Sequence, residues 1–228
     1  MIQTASFLRW SLAILLLITF SACKKKSTSF DMYYDYYPVN QGHFVVYQVR
    51  EIFTDTQVNQ KDTADYFLKT VIEDSIVDNS GRWVKKYVRY RADSLTGVWT
   101  AKDVWTTVID KGRAELVEEN NRVIKLVFAP SEDKEWDMNV YNTLGQMECY
   151  YSTIHESYSI NGNTLNETVT VMQEDFTSYI DYRKKFEVYA RGIGLVHKFY
   201  KDLKIIGGNP ANIKSGRELE MKLVSYGN

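Results

Sequence analysis

The chain has 228 residues and a formal net charge of −1, from 28 basic and 29 acidic side chains. Near-neutral charge without a basic patch excludes a protein held to nucleic acid by phosphate contacts. An aromatic content of 14%, with 17 tyrosines and only three prolines, excludes disorder and suits a pleated, half-buried sheet.

The first element is apolar. Arg9 precedes WSLAILLLITF, residues 10–20, and the run stops at Ser21-Ala22-Cys23. Crossing a hydrocarbon core takes about 20 apolar residues, about twice this length. A basic start, a short greasy middle and small residues at the end describe a secretory signal. Phe20 at −3 fits an ordinary signal-peptidase cut poorly, so a free cysteine beside such a site is the weaker reading. Phe20-Ser21-Ala22-Cys23 instead resembles a lipobox, with Phe20 in place of the usual leucine. That resemblance implies cleavage before Cys23 and diacylation of its thiol. The expected organisation is a signal peptide over 1–22, a lipidated tether over 23–36 and one domain over 37–228. Two or more acyl chains hold a protein stably where one holds it weakly. Lys24, Lys25 and Lys26 then lie at the headgroups or serve as a solvated leash.

From His43 onward the chain alternates. In HFVVYQVREIF, Val45, Tyr47, Val49 and Phe53 share one face, while Gln48 and Arg50 take the other. In RWVKKYVRYR, Val84, Val88 and Tyr90 oppose Lys85 and Arg89. Period two over this length predicts half-buried strands. YFLKTVIEDSIV, VWTTVI, RAELVE, RVIKLVF, MECYYSTIHESYSI, ETVTVMQEDF, LVHKFYKDL and RELEMKLVSY read the same way. Asn79-Ser80-Gly81, Asp110-Lys111-Gly112, Asn120-Asn121 and Asn161-Gly162-Asn163 supply turns between them. Short turns join antiparallel neighbours. The predicted fold is therefore mainly β: a single domain of roughly ten antiparallel strands in a curved or partly closed sheet. PSEDKEWDMNVYNTLGQ interrupts the rhythm and predicts one short helical turn or an ordered loop near 131–142.

WDMNVYN, FEVYARGIGLVHKFY and SGRELEMKLVSY, behind the lipobox, resemble small outer-membrane lipoproteins of Bacteroidota-type bacteria. The match runs from about Tyr37 to Tyr226. The resemblance implies a β-rich domain tethered to the outer membrane through its N-terminal lipid. Acidic residues after the lipidated cysteine are associated with surface export in such bacteria. Lys24-Lys25-Lys26-Ser27 stands there instead, which implies a periplasm-facing position. In outline the predicted sheet is also similar to lipoprotein-carrier folds.

The residues that could carry chemistry read mostly as structural. Gly192-Ile193-Gly194 lacks the third glycine and following helix of a dinucleotide site, and reads as a turn needing positive φ. His43, His155 and His197 offer no metal spacing. Adjacent acids such as Glu73-Asp74 and Glu174-Asp175 read as solvated surface. Cys149 reads as a buried small hydrophobe. No catalytic residue, metal site or cofactor is expected. Tyr33, Tyr34, Tyr36 and Tyr37 form either an aromatic contact patch for a protein or glycan, or a cover over one end of the core; the cover is favoured because Pro38 leads into the first strand. Thr63, Ser75 and Ser94 each follow an aspartate and precede a small or aliphatic residue. In this they resemble sites that such bacteria O-glycosylate. The leading expectation is a non-catalytic binding or structural module. A carrier with an apolar ligand in a concave cavity comes next, then an envelope hydrolase.

Overall fold

A computed structural model describes residues 30–228. Cys23, the segment 1–22 and half of the expected tether, residues 23–29, lie outside the described residues. The compact body runs Met32–Asn228, so the tyrosine cluster belongs to it.

Twelve strands build the body. The first six are β1 (Phe44–Asp55), β2 (Gln60–Val77), β3 (Trp83–Ala92), β4 (Thr100–Asp110), β5 (Arg113–Glu118) and β6 (Asn121–Val127). The second six are β7 (Glu135–Asp137), β8 (Glu148–Ile160), β9 (Asn163–Thr177), β10 (Asp181–Ala190), β11 (Gly194–Ile206) and β12 (Asn209–Gly227). Their order in the sheet is β6-β5-β4-β3-β2-β1-β12-β11-β10-β9-β8-β7. Each strand pairs with its chain neighbours except β6 with β7, and β1 pairs with β12, so the sheet is a ring with one seam, between β6 and β7. Side chains and one backbone bond bridge that seam. Ile124 N–H donates to the Met138 carbonyl at 3.0 Å, and the Trp136 indole N–H donates to the Ile124 carbonyl at 3.2 Å. Tyr151 donates its hydroxyl hydrogen to the Val127 carbonyl at 2.8 Å and accepts from the Val127 N–H at 3.1 Å. The result is a nearly closed antiparallel barrel, which leaves little unpaired edge.

Two strands exceed the roughly ten expected. β7 has three residues, too few for a period to register. β10 hides its alternation behind Arg183-Lys184-Lys185, because part of its inward face is ionic. The 131–142 segment forms the ordered loop and carries β7; among the described residues the helical turn is a 3₁₀ turn at Tyr34–Tyr36. Gly192 and Gly194 adopt φ of 71° and 89°, as the turn reading required. At Gly216 the neighbouring strand comes so close that a Cβ would sit 2.2 Å from the Asp202 carbonyl oxygen. Glycine is there for space.

The β8–β9 hairpin does not stay in the wall. His155 and Glu167, on opposite strands, take left-handed φ of 57° and 54°, and register shifts mark β8 on both sides of His155. Such bulges bend a strand. The hairpin tip folds back over the outer face of β10 and β11, where Tyr158 hydrogen-bonds His197 Nδ1 at 2.6 Å. Asn161 Nδ2 donates to the Leu223 carbonyl at 2.8 Å. Buried Val188 and Val196 lie under or beside this cover.

Candidate functional site

Alternation along the wall decides what lines the barrel. On β1, Val45, Tyr47 and Val49 point inward and are buried, while Gln48 and Arg50 are exposed, as read from the sequence. On β3, Val84 and Val88 are buried as the alternation suggested, yet the interior takes the other face. Tyr87 and Arg89 face the interior beside Trp105, and Tyr90 faces out to donate its hydroxyl hydrogen to Glu73. An alternating pattern gives the period but not which face is inside when the interior itself carries charge.

One end of the barrel is filled. Tyr36 is fully buried and shares a 2.7 Å hydrogen bond with His155 Nδ1. Tyr37 reaches inside and shares a 2.8 Å hydrogen bond with the Thr107 hydroxyl. Thr107 also donates to the Glu115 carbonyl. Tyr33 packs on the His155 ring and beneath Arg191, Tyr34 meets Phe128 edge-on, and Arg191 pairs with Asp35 at 2.7 Å. Burial raises the titration of both Tyr36 and Tyr37 far above the usual phenol range, so they stay neutral. Tyr36 and Tyr37 therefore cap the core, and Tyr34 is the most exposed of the four.

The other end is open. A cup of about 460 Å³ lies inside the mouth, lined by the barrel strands, the β5–β6 turn and the loop from Met138 to Met147. Leu68, Val123, Met138, Met147, Leu219 and Met221 give it apolar walls, with Tyr66, Trp105 and Tyr200 beside them. Six cations line the same space: Arg89, Lys102, Lys125, Lys185, Lys198 and Arg217. Four carboxylates face them: Glu51, Glu118, Glu119 and Glu187.

The floor is ionic and buried. Lys125 Nζ lies 2.7 Å from Glu187 Oε1, with side-chain exposures of 6% and 1%. Lys198 approaches the same oxygen at 3.4 Å, and the Tyr189 hydroxyl donates to Glu187 Oε2 at 2.6 Å. Burial alone would push the Glu187 carboxyl up; the two ammonium groups and the hydrogen bonds from Lys125 and Tyr189 outweigh it and hold it at about 2. Desolvation alone would lower Lys125; the charges of Glu187 and Glu118 and the hydrogen bond to Glu187 together outweigh it and raise it above the usual lysine range. Both partners are charged at neutral pH.

Irregular pairing aims three of the polar side chains. Arg89 opposes Asp103 and Tyr90 opposes Ala101, which leaves Lys102 as the extra residue of a bulge. Ala114 opposes Leu126 and Glu115 opposes Ile124, leaving Lys125; Lys185 opposes Glu174 and Phe186 opposes Met172, leaving Gln173. Bulges re-aim side chains and recur beside sites. At the rim, Arg89 pairs with Asp103 and stacks 3.4 Å above the Trp105 ring. Lys185 lies between Glu174 at 2.8 Å and Asp202 at 3.0 Å, and Arg217 reaches Glu51 at 3.3 Å. Gln173 Nε2 and Arg89 Nε are buried donors without an acceptor.

None of the candidate tyrosines, hydroxyl residues or histidines named from the sequence lines the cup; of the adjacent acids, read there as solvated surface, the pair Glu118-Glu119 does. Thr63 and Ser75 are exposed on β2 and Ser94 is exposed in the β3–β4 turn, so all three hydroxyl-bearing residues lie at the surface. The structure does not gather them. His43 bonds the Ile193 carbonyl and Asn228, His155 bonds Tyr36, and His197 bonds Tyr158 and Glu220. Each histidine is far from the others in role and place. Among the described residues no cluster of His, Cys, Asp or Glu is arranged to hold a metal ion. The cup residues were missed because bulges break period two where the polar groups turn inward. The signal that was present is charge at inward positions of otherwise apolar strands, such as Lys125 in RVIKLVF.

No family model and no curated protein matches the sequence. Among solved structures the chain is similar to the crystal structure of a candidate lipoprotein from Parabacteroides distasonis. The identity is 10%, the match covers 84% of this chain and 98% of that one, and the TM-score is 0.43.

Proposed function

We propose that this protein is a lipid-anchored, non-catalytic binding module of the bacterial cell envelope, and that its ligand sits in the barrel-mouth cup. The anchor is Cys23 on the outer membrane, with the domain facing the periplasm; Phe20-Ser21-Ala22-Cys23 after a short apolar run supports it. The observation that carries the binding reading is the cup itself. It is a concavity of several hundred Å³ with apolar walls and a few convergent charged groups, the usual form of a small-ligand site. A module acting only as scaffold gains nothing from burying Lys125, Glu187 and Lys198 under an open mouth, since an apolar floor is at least as stable. The histidines, which would be the first choice for proton transfer at neutral pH, serve the frame instead.

Native mass spectrometry of protein extracted from its own membranes tests the reading. A small molecule bound to wild type and absent from Leu219→Trp, which fills the cup, is the expected result. The same bound species in both proteins, or none in either, removes the cup as the site. Cys23→Ala is expected to move the protein from the membrane to the soluble fraction; unchanged membrane retention removes the anchor.

A further inference from the structure

We infer that the cup takes a carboxylate-bearing amphiphile, its head on Lys198 and its apolar chain along Leu219, Met221 and Leu68. The inference rests on the cup being a binding site and deepens it by naming the ligand's chemistry.

The floor carries two ammonium groups on one carboxylate. Glu187 spends Oε1 on Lys125 and Lys198 and Oε2 on Tyr189. Lys125, at the shorter distance and almost fully buried, is the structural partner. Lys198 is the second claimant, 27% exposed and 3.4 Å away. An ammonium has three donors, and the Lys198 ion pair with Glu187 uses one. Glu118, the next carboxylate on the wall, lends its field to Lys125. The remaining donors nearby also ask for an acceptor: Gln173 Nε2 and Arg89 Nε are buried and unpartnered. Buried donors of this kind are few in folded proteins and mark places where an acceptor belongs. Of the six cations in the lining, Arg89 and Lys102 pair with Asp103, Lys185 with Glu174 and Asp202, Arg217 with Glu51 and Lys125 with Glu187, which leaves Lys198, the more distant claimant on Glu187, as the one with donors to spare. A carboxylate supplies the acceptors. The walls specify the rest of the molecule. Met138, Met147 and Met221 are flexible and adapt to an irregular apolar shape, and Leu68 and Leu219 add fixed apolar surface.

Isothermal titration with three ten-carbon probes separates head from tail: decanoate, decan-1-ol and decyltrimethylammonium. Wild type is expected to bind decanoate at least about tenfold more tightly than decan-1-ol, the worth of one charge-assisted contact, and to bind the cation most weakly. Lys198→Met is expected to bring decanoate down to the alcohol's affinity; Lys198→Arg is expected to keep the preference. Thermal melts confirm that both variants fold, which the Lys125–Glu187–Tyr189 set left intact permits. Equal affinity for decanoate and decan-1-ol on wild type, no binding of any probe, or an unchanged decanoate affinity in Lys198→Met overturns the inference. The cup reading fails separately: it falls if Leu219→Trp leaves the binding of all three probes unaltered.

Discussion

The two ends of the barrel are made by the same strands and solve opposite problems. At the tyrosine end, side chains are matched in local sets: Tyr36 with His155, Tyr37 with Thr107, His43 with the Ile193 carbonyl. The interior there is filled. At the mouth, one buried carboxylate serves two lysines and a tyrosine, and a cup of about 460 Å³ stays open above it. Matched hydrogen bonds specify a structure. Over-subscribed ones leave capacity for something else. On the proposed reading, stability belongs to the first end and recognition to the second, with the Lys125–Glu187 pair as the layer between them.

The largest expected effect breaks that layer. Glu187→Gln leaves Lys125 buried without its partner, and about 3–5 kcal/mol of stability is expected to go; Lys125→Met is expected to lose less, because Lys198 and Tyr189 still hold Glu187. The double variant Lys125→Met/Glu187→Leu is expected to recover part of it, since a packed apolar pair replaces a desolvated ionic one while the buried Tyr189 hydroxyl loses its acceptor. Urea unfolding of the three proteins measures this. If the double variant is as unstable as the singles, the pair contributes more than mutual neutralisation.

The same layer fixes an acid response. The Glu187 carboxyl is held at about 2 in the fold, below its ordinary value of 4.5. A group depressed on folding stabilises above its unfolded value and loses that contribution as pH falls through the folded one. Stability is therefore expected to decline between about pH 4.5 and pH 2, and Glu187→Gln to lack this part of the slope. Parallel slopes in both proteins would assign acid sensitivity to other carboxylates. Tyr36 and Tyr37 stay neutral throughout this window and add nothing to the slope.

A smaller effect probes the filled end directly. Tyr36→Phe leaves His155 Nδ1 without its partner and is expected to lose about 1–3 kcal/mol. Tyr37→Phe is expected to lose less, because Thr107 still donates to the Glu115 carbonyl. Neither is expected to change decanoate affinity. Altered binding in either variant would show that the two ends communicate through the core, against the division drawn above.

Much of this architecture was readable from the residues. HFVVYQVREIF gives β1 with its inward face correct, the Asn/Gly pairs mark hairpins, and Tyr36 and Tyr37 before Pro38 read as a cover. The site was not readable, for physical reasons. Lys102, Lys125 and Gln173 are extra residues of bulges, and an extra residue shifts the period by one, so each reads as facing solvent. Arg89 obeys the period but on the reverse face. The rule that the apolar face is the inner one holds for a filled barrel and fails where the interior is ionic. Glu187 and Lys198 lie on adjacent strands in register, yet their meeting with Lys125 depends on a barrel closing between residues 62 positions apart.

Thiol chemistry gives the gentlest comparison, because it leaves stability almost untouched. Cys149 is fully buried on β8 against Trp136, in the filled part of the molecule. Burial, reinforced by the charge of Glu187, pushes its thiol up to about 12, so almost no thiolate exists at pH 8. In a Cys23→Ala background, Cys149 is expected to resist a negatively charged alkylating reagent at pH 8 until the protein is unfolded. A cysteine placed in the cup by Leu219→Cys sits beside Lys198 and Arg217, whose charges attract the reagent and favour the thiolate. It is expected to react quickly, and decanoate is expected to slow it in proportion to occupancy. Rapid labelling of Cys149 in the folded protein would show that the filled end opens on the timescale of the reaction. Labelling of Leu219→Cys that decanoate does not slow would place the amphiphile elsewhere and leave the mouth without its assigned guest.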